Sequence, residues 1–143
     1  MSAVSVTVRD FHDILRVPPA RIRAIARAAF AQEGPGRRGE VVICIVGDAL
    51  IRSLNRRFLA VDSPTDVIAF NLTGRGQALL ADIVVSSETA VRAARRYKTA
   101  PLDELYLYVA HGVLHLLGYD DKTPRRRSAM NRKANTIVAD ASR

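Results

Sequence analysis

Two histidines, His111 and His115, stand four residues apart in the stretch HGVLHLLGYDD at residues 111–121, and their types and spacing suit metal chemistry. On a helix they project from one face, about 40° apart around the axis, the separation that two ligands of one ion need. Gly118 can end that helix by taking a positive φ, which swings the chain back so that a residue three further on meets the pair. Asp121 is that residue.

The competing reading is a pair of hydrogen-bonded core histidines, the commoner fate of a His on an apolar helix. The surroundings weigh against it. Residues 105–117 are apolar nearly all round, which marks a buried helix, and the neighbouring leucines and valines offer an imidazole no polar partner. A metal site with His111, His115 and Asp121 as ligands is therefore expected.

Several elements must hold this stretch in place. Val4, Val6 and Val8 alternate with Ser5 and Thr7 as in a half-buried strand. Pro18 and Pro19 open a helix whose Ile22, Ile25, Ala26, Ala29 and Phe30 recur at helical spacing. Residues 32–40 read as an exposed turn, with Arg37 and Arg38 as loop charges. The β-branched run 41–46 fits a central strand, and the lone Cys44 within it reads as a small buried side chain with no disulfide partner. Gly47 and Asp48 cap a helix whose Leu50, Ile51, Leu54 and Phe58 share one face, leaving Arg52, Arg56 and Arg57 towards water or a ligand.

After the turn DSPTD, residues 62–66, a strand is expected over 67–72, a hairpin-like loop over 73–78 and a strand over 79–85 interrupted by Asp82. Ser86 or Ser87 caps a helix with a basic face of Arg92, Arg95, Arg96 and Lys98. Pro101 starts the histidine helix, and Thr123 with Pro124 starts a last one, apolar at Ala129, Met130, Ala134, Ile137, Val138 and Ala141. This order of elements predicts one α+β domain over residues 1–143, with four strands in a single sheet and about five helices packed on it.

Charge points to a polyanionic partner. The 143 residues carry 22 Lys and Arg against 14 Asp and Glu, a net +8, and most of the cations are arginines suited to bidentate phosphate contacts. Aromatics are 6% with no Trp, so base stacking is not expected to be the main mode of binding. No apolar run reaches the length of a membrane span, and the start MSAVSVTVRD lacks the pattern of a secretion signal, so a cytoplasmic protein is expected. Arg125, Arg126 and Arg127 oppose the macrodipole at the start of the last helix, at a cost of a few tenths of a kcal/mol each. Four to six residues beyond Asp121, they would lie at the rim of the metal site and hold a phosphate backbone there.

The spacing of His111, Gly112, His115, Gly118 and Asp121 resembles the HGxLHLxGYDH signature of the YbeY family, bacterial metal-dependent endoribonucleases of ribosomal RNA maturation and ribosome quality control. Residues 54–70, LNRRFLAVDSPTDVIAF, resemble the family block LNxxYRxxDxPTDVLSF, and residues 80–90, LADIVVSSETA, resemble LGDIxIxxExA in the same order. The resemblance covers about residues 41–140. It implies a mixed four-stranded sheet with helices, one zinc held by three side chains at the mouth of a cleft, and single-stranded RNA, with the ribosome, as partner.

Two residues depart from the family pattern. The third ligand is normally His where this chain has Asp121; zinc accepts carboxylate at about the same bond length, and the site becomes more anionic. Leu59 stands where the family usually has an Arg, and Arg56 or Arg57 are the substitutes at hand. Asp66 and Asp82 are candidates to orient a histidine or its loop from outside the ligand set, against the alternative that they tie down turns through backbone N–H groups.

The expected mechanism is metal-assisted cleavage of single-stranded RNA, with water on zinc acidified towards pKa ~7 and rim arginines placing the backbone. One rival is a ribosome-associated RNA-binding protein with a structural metal and weak or no turnover. The other is a metalloprotease-like hydrolase, opposed by Gly112 where HExxH enzymes keep a Glu.

Overall fold

A computed structural model describes residues 3–142. Strand β1, Ala3–Asp10, buries Val4 and Val6 and exposes Ser5 and Thr7, as the period-two pattern requires. The helices are α1 (Pro19–Glu33), α2 (Asp48–Leu59), α3 (Ser87–Tyr97), α4 (Pro101–Leu116) and α5 (Pro124–Ala141), and the other strands are β2 (Arg38–Val46), β3 (Val67–Asn71) and β4 (Leu79–Ser86). All four predicted strands and five predicted helices are present.

The sheet runs β1-β2-β4-β3, with β1 and β2 parallel, β2 and β4 parallel, and β3 antiparallel to β4. It is therefore a mixed sheet. The β3–β4 loop closes with the Leu72 N–H donating to the Leu80 carbonyl at 2.8 Å.

Strand β2 starts at Arg38, inside the stretch expected to be loop. Its partner decides this: Arg38, Gly39 and Glu40 lie opposite Ala3, Val4 and Ser5, and ladder hydrogen bonds override a turn-rich composition. Capping also differs from expectation at α2. Asp48 does not cap its own helix; its carboxylate accepts from the Ser86 and Thr89 hydroxyls and from Arg92, while the Asp48 N–H donates to Glu88 Oε1 at 2.9 Å. Helices α2 and α3 thus begin by satisfying each other's first turns. Ser86 caps α3 by accepting from the Thr89 N–H, and Thr123 caps α5 by accepting from the Arg126 N–H.

The two faces of the sheet carry different loads. Ile43, Ile45, Ala81, Ile83 and Val85 form the main core with α1, α4 and α5. The other face packs Val46, Ile68 and Val84 against Ile51 of α2 in a smaller cluster. Cys44 belongs to this second side and is half-buried rather than buried. Among the described residues, no helix is long and apolar enough to cross a membrane.

Candidate active site

Helix α4 carries the two histidines through the main core. It starts with Pro101 in its first turn and Asp103 and Glu104 complementing the dipole, and it buries Leu105, Val109, Ala110, Val113 and Leu114 completely. At its end the Gly118 N–H donates to the His115 carbonyl and the Tyr119 N–H to the Leu114 carbonyl, with φ at Gly118 of 97°. This is a Schellman motif, and it turns the chain back along the histidine face as the sequence predicted.

The turn fixes a histidine. Nδ1 of His115 lies 3.2 Å from the Tyr119 carbonyl. A carbonyl only accepts, so Nδ1 carries a proton, and in the neutral ring the lone pair is then on Nε2. One turn earlier, His111 Nε2 is buried and has no hydrogen-bond partner among the described residues. Burial is the chief cause holding the His111 pKa below the usual histidine value; His115 adds to it, while Asp66, Asn131 and Asp121 oppose it. Burial thus favours the neutral form of His111, and the Tyr119 carbonyl sets which nitrogen of His115 is turned to ligation.

They open into one cavity of about 350 Å³, which Asp121 also lines. Thr65, Asp66 and Val67 form another part of its wall, and Arg127, Met130 and Asn131 of α5 complete the lining. An orphaned buried Nε2 costs about 1–3 kcal/mol unless something occupies it, so the donor set fits a metal ion better than a core histidine. Asp121 is exposed on the rim, and among the described residues no three His, Cys, Asp or Glu side chains converge as a preformed metal-binding group.

Asp66 faces the cavity and also ties its own turn, with Oδ1 accepting from the Val67 N–H at 2.7 Å and the Thr65 hydroxyl at 3.2 Å. Asp82 does not reach the site. It alternates with Ile83 on β4, so it falls on the side of Cys44 and α2, where its charge acts on the Cys44 thiol. Arg56 and Arg57 are likewise on α2 and do not line the cavity; the Arg57 guanidinium lies 5.4 Å from the Phe58 ring centre. Of the three arginines that open α5, only Arg127 lines the cavity, where its Nη2 donates to the Asp121 carbonyl at 3.4 Å. Arg126 pairs with Asp120 at 3.2 Å, which accounts for one cation at an unfavourable helix end. Thr65 and Asn131 were not singled out from the sequence. Asn131 had no signal to give, since any amphipathic helix places polar residues beside its core stripe.

A second tether holds the turn from outside. Tyr119 OH donates to Glu33 Oε1 at 2.6 Å, and Lys133 Nζ lies 2.9 Å from the same oxygen. Tyr119 is the larger cause and Lys133 the next in holding the Glu33 pKa below its ordinary 4.5. A carboxyl depressed by folding contributes stability that is present above its unfolded pKa and lost as pH falls through the folded value. Tyr119→Phe is therefore expected to cost about 1 kcal/mol at neutral pH, with Lys133 still satisfying the carboxylate, and the deficit is expected to shrink below about pH 4.5. Denaturant midpoints at neutral and acid pH measure this. A deficit independent of pH would mean that the Tyr119 hydroxyl does not act through the charge of Glu33.

An α+β domain thus brings two imidazoles, a rim carboxylate and an arginine to one cavity, a donor set suited to metal-assisted hydrolysis. The family model Endoribonuclease YbeY matches residues 13–142. The chain is 38% identical over 129 residues to Endoribonuclease YbeY of Moorella thermoacetica, covering 82% of this chain and 83% of that protein. It is 35% identical over 143 residues to Endoribonuclease YbeY of Pelotomaculum thermopropionicum, covering 93% and 94%. The solution structure of TM1509 from Thermotoga maritima shares the fold, with a TM-score of 0.63 at 23% identity over 95% of this chain and 88% of that one. The chain belongs to the YbeY family.

Proposed function

We propose that this protein is a zinc-dependent endoribonuclease that cleaves single-stranded RNA and acts on ribosomal RNA during ribosome maturation and quality control. One observation carries the metal part of the reading: the buried Nε2 of His111, without a hydrogen-bond partner among the described residues, one helical turn from His115, whose Nδ1 is engaged by the Tyr119 carbonyl. The names of the relatives support RNA as substrate, and the net charge of +8 suits it.

His111, His115 and Asp121 would hold one zinc ion, which supplies a Lewis acid and an acidified water when bound. Asp121 would close onto the pair from the rim. The protein's own groups do the rest. Burial favours the neutral, ligating form of His111, the Tyr119 carbonyl fixes the His115 ring, and Asp66 places a negative charge in the cavity wall. Arg127, at the cavity edge, would take a non-bridging phosphate oxygen and set the register of the strand. Gly112 leaves no carboxylate next to the first histidine, which argues against peptide hydrolysis.

The test is metal content of the purified protein, measured beside cleavage of single-stranded RNA with and without chelator and with His111→Ala as control for contaminating nuclease. About one zinc per chain and chelator-sensitive cleavage absent from the variant are expected. Zinc without cleavage would favour an RNA-binding protein with a structural metal. Absence of any bound metal would return the histidines to the core.

A further inference from the structure

The basic face of α3 has no role in the cavity chemistry, yet it adjoins the cavity. Thr89 Oγ1, in the first turn of α3, gives its proton to Asp48 and lies 3.4 Å from the carbonyl oxygen of Thr65, which is part of the cavity wall. On the far side of that contact lies a shallow groove of about 320 Å³ along α3, lined by Thr89, Arg92, Ala93, Arg96 and Tyr97.

Two properties of this groove are unusual for a merely solvated helix. Tyr97 is 62% exposed in a chain with only four tyrosines, while Tyr106 and Tyr108 are buried. The Arg96 guanidinium lies 5.5 Å from the Tyr97 ring centre, covering one face of the ring. The cations are also uncompensated: Arg92 is tied to Asp48, but among the described residues no salt bridge engages Arg95, Arg96 or Lys98. Arg92 and Arg96 are one turn apart, about 6 Å along the axis, a length comparable to one step of an extended nucleotide strand.

We propose that the outer face of α3 is a second binding site for the RNA strand, which leaves the active cavity over Thr65, places successive phosphates at Arg92 and Arg96, and stacks a base on Tyr97. This rests on the reading of the cavity as an RNA site. Stacking is sequence-tolerant, because every base has a π face, and a neighbouring guanidinium adds to it. The paucity of aromatics is no obstacle. One exposed ring at the periphery anchors a strand without being a platform.

The experiment is fluorescence anisotropy of single-stranded RNA probes of about 4 and about 12 nucleotides, the shorter filling only the cavity, in chelator to block cleavage. Tyr97→Ala is expected to weaken binding of the longer probe about fivefold to tenfold and Tyr97→Phe to restore it. Arg96→Ala should lower the log–log salt slope by about 0.7. The shorter probe should bind all variants equally. Unchanged affinity and slope for the longer probe, or an equal loss for both probes, would overturn the α3 site. If the wild type cleaves RNA while the variants bind normally, only the α3 site fails. If binding depends on Tyr97 but the metal-loaded wild type cleaves nothing, only the endoribonuclease reading fails. Absence of RNA binding by the wild type would overturn both.

Discussion

Replacing His115 by Ala is expected to remove bound metal and to lower RNA cleavage at least about a hundredfold, the upper scale of what losing even an outer partner of a metal ligand costs. The reason is geometric. His115 is the imidazole whose orientation is fixed, by Nδ1 against the Tyr119 carbonyl, and whose Nε2 holds the lone pair in the neutral ring. Without it, His111 alone faces the cavity, and a single neutral nitrogen with a rim carboxylate is a poor zinc site. The fold should survive, because His115 is only half-buried and the Schellman turn keeps its backbone bonds, including the Tyr119 N–H to the Leu114 carbonyl. Losing the side-chain tether is expected to cost about 1 kcal/mol. Elemental analysis and a denaturation curve on the same preparation separate the two effects. Wild-type metal stoichiometry in a folded His115→Ala protein would sink the ligand assignment.

The histidine pair, Gly118 and the elements were legible because each rests on local spacing. A helical period fixes which residues share a face, and a glycine two residues past a helix end fixes where the chain turns. What spacing cannot give is which side of the sheet a helix takes. Arg56 and Arg57 were expected to serve the site, but α2 packs on Val46, Ile68 and Val84, the face away from α4. Asp82 was lost the same way: one residue along β4 separates it from Ile83, and one residue is the difference between the two faces. The non-local ties were also silent. Glu33 and Lys133 come from α1 and α5 and Tyr119 from the turn after α4, and no pairing of their positions in the chain predicts that α1 and α5 meet at that turn. The same holds for Thr89 reaching Thr65, which joins the α3 groove to the cavity.

Gly112→Ala is expected to destabilise the protein by up to about 2 kcal/mol and to weaken metal retention, although alanine is the better helix former. Two effects oppose each other. Inside a helix, Ala is favoured over Gly by about 1 kcal/mol. Against this, a Cβ at position 112 would stand 2.6 Å from Ile83 Cγ2 and 3.2 Å from Val67 Cγ2. Ile83 is fully buried between Ile43 of β2 and Ala69 of β3, and its Cγ2 hangs directly from Cβ, so relief requires the whole side chain or the helix to shift. Overpacking of this kind costs about 1–3 kcal/mol. With the helix preference subtracted, the clash wins. The shift matters for function because residue 111 is next in the chain: moving α4 off the sheet moves His111 relative to the wall formed by Asp66 and Val67. A double-mutant cycle with Ile83→Ala isolates the contact. Ile83→Ala alone should cost about 2–5 kcal/mol through the cavity it leaves, and clearly less in the Gly112→Ala background, where the new methyl fills part of that space. Additive effects, or a Gly112→Ala protein more stable than wild type, would show that the sheet yields to the helix and that close packing at Gly112 is not what sets the height of His111 above it.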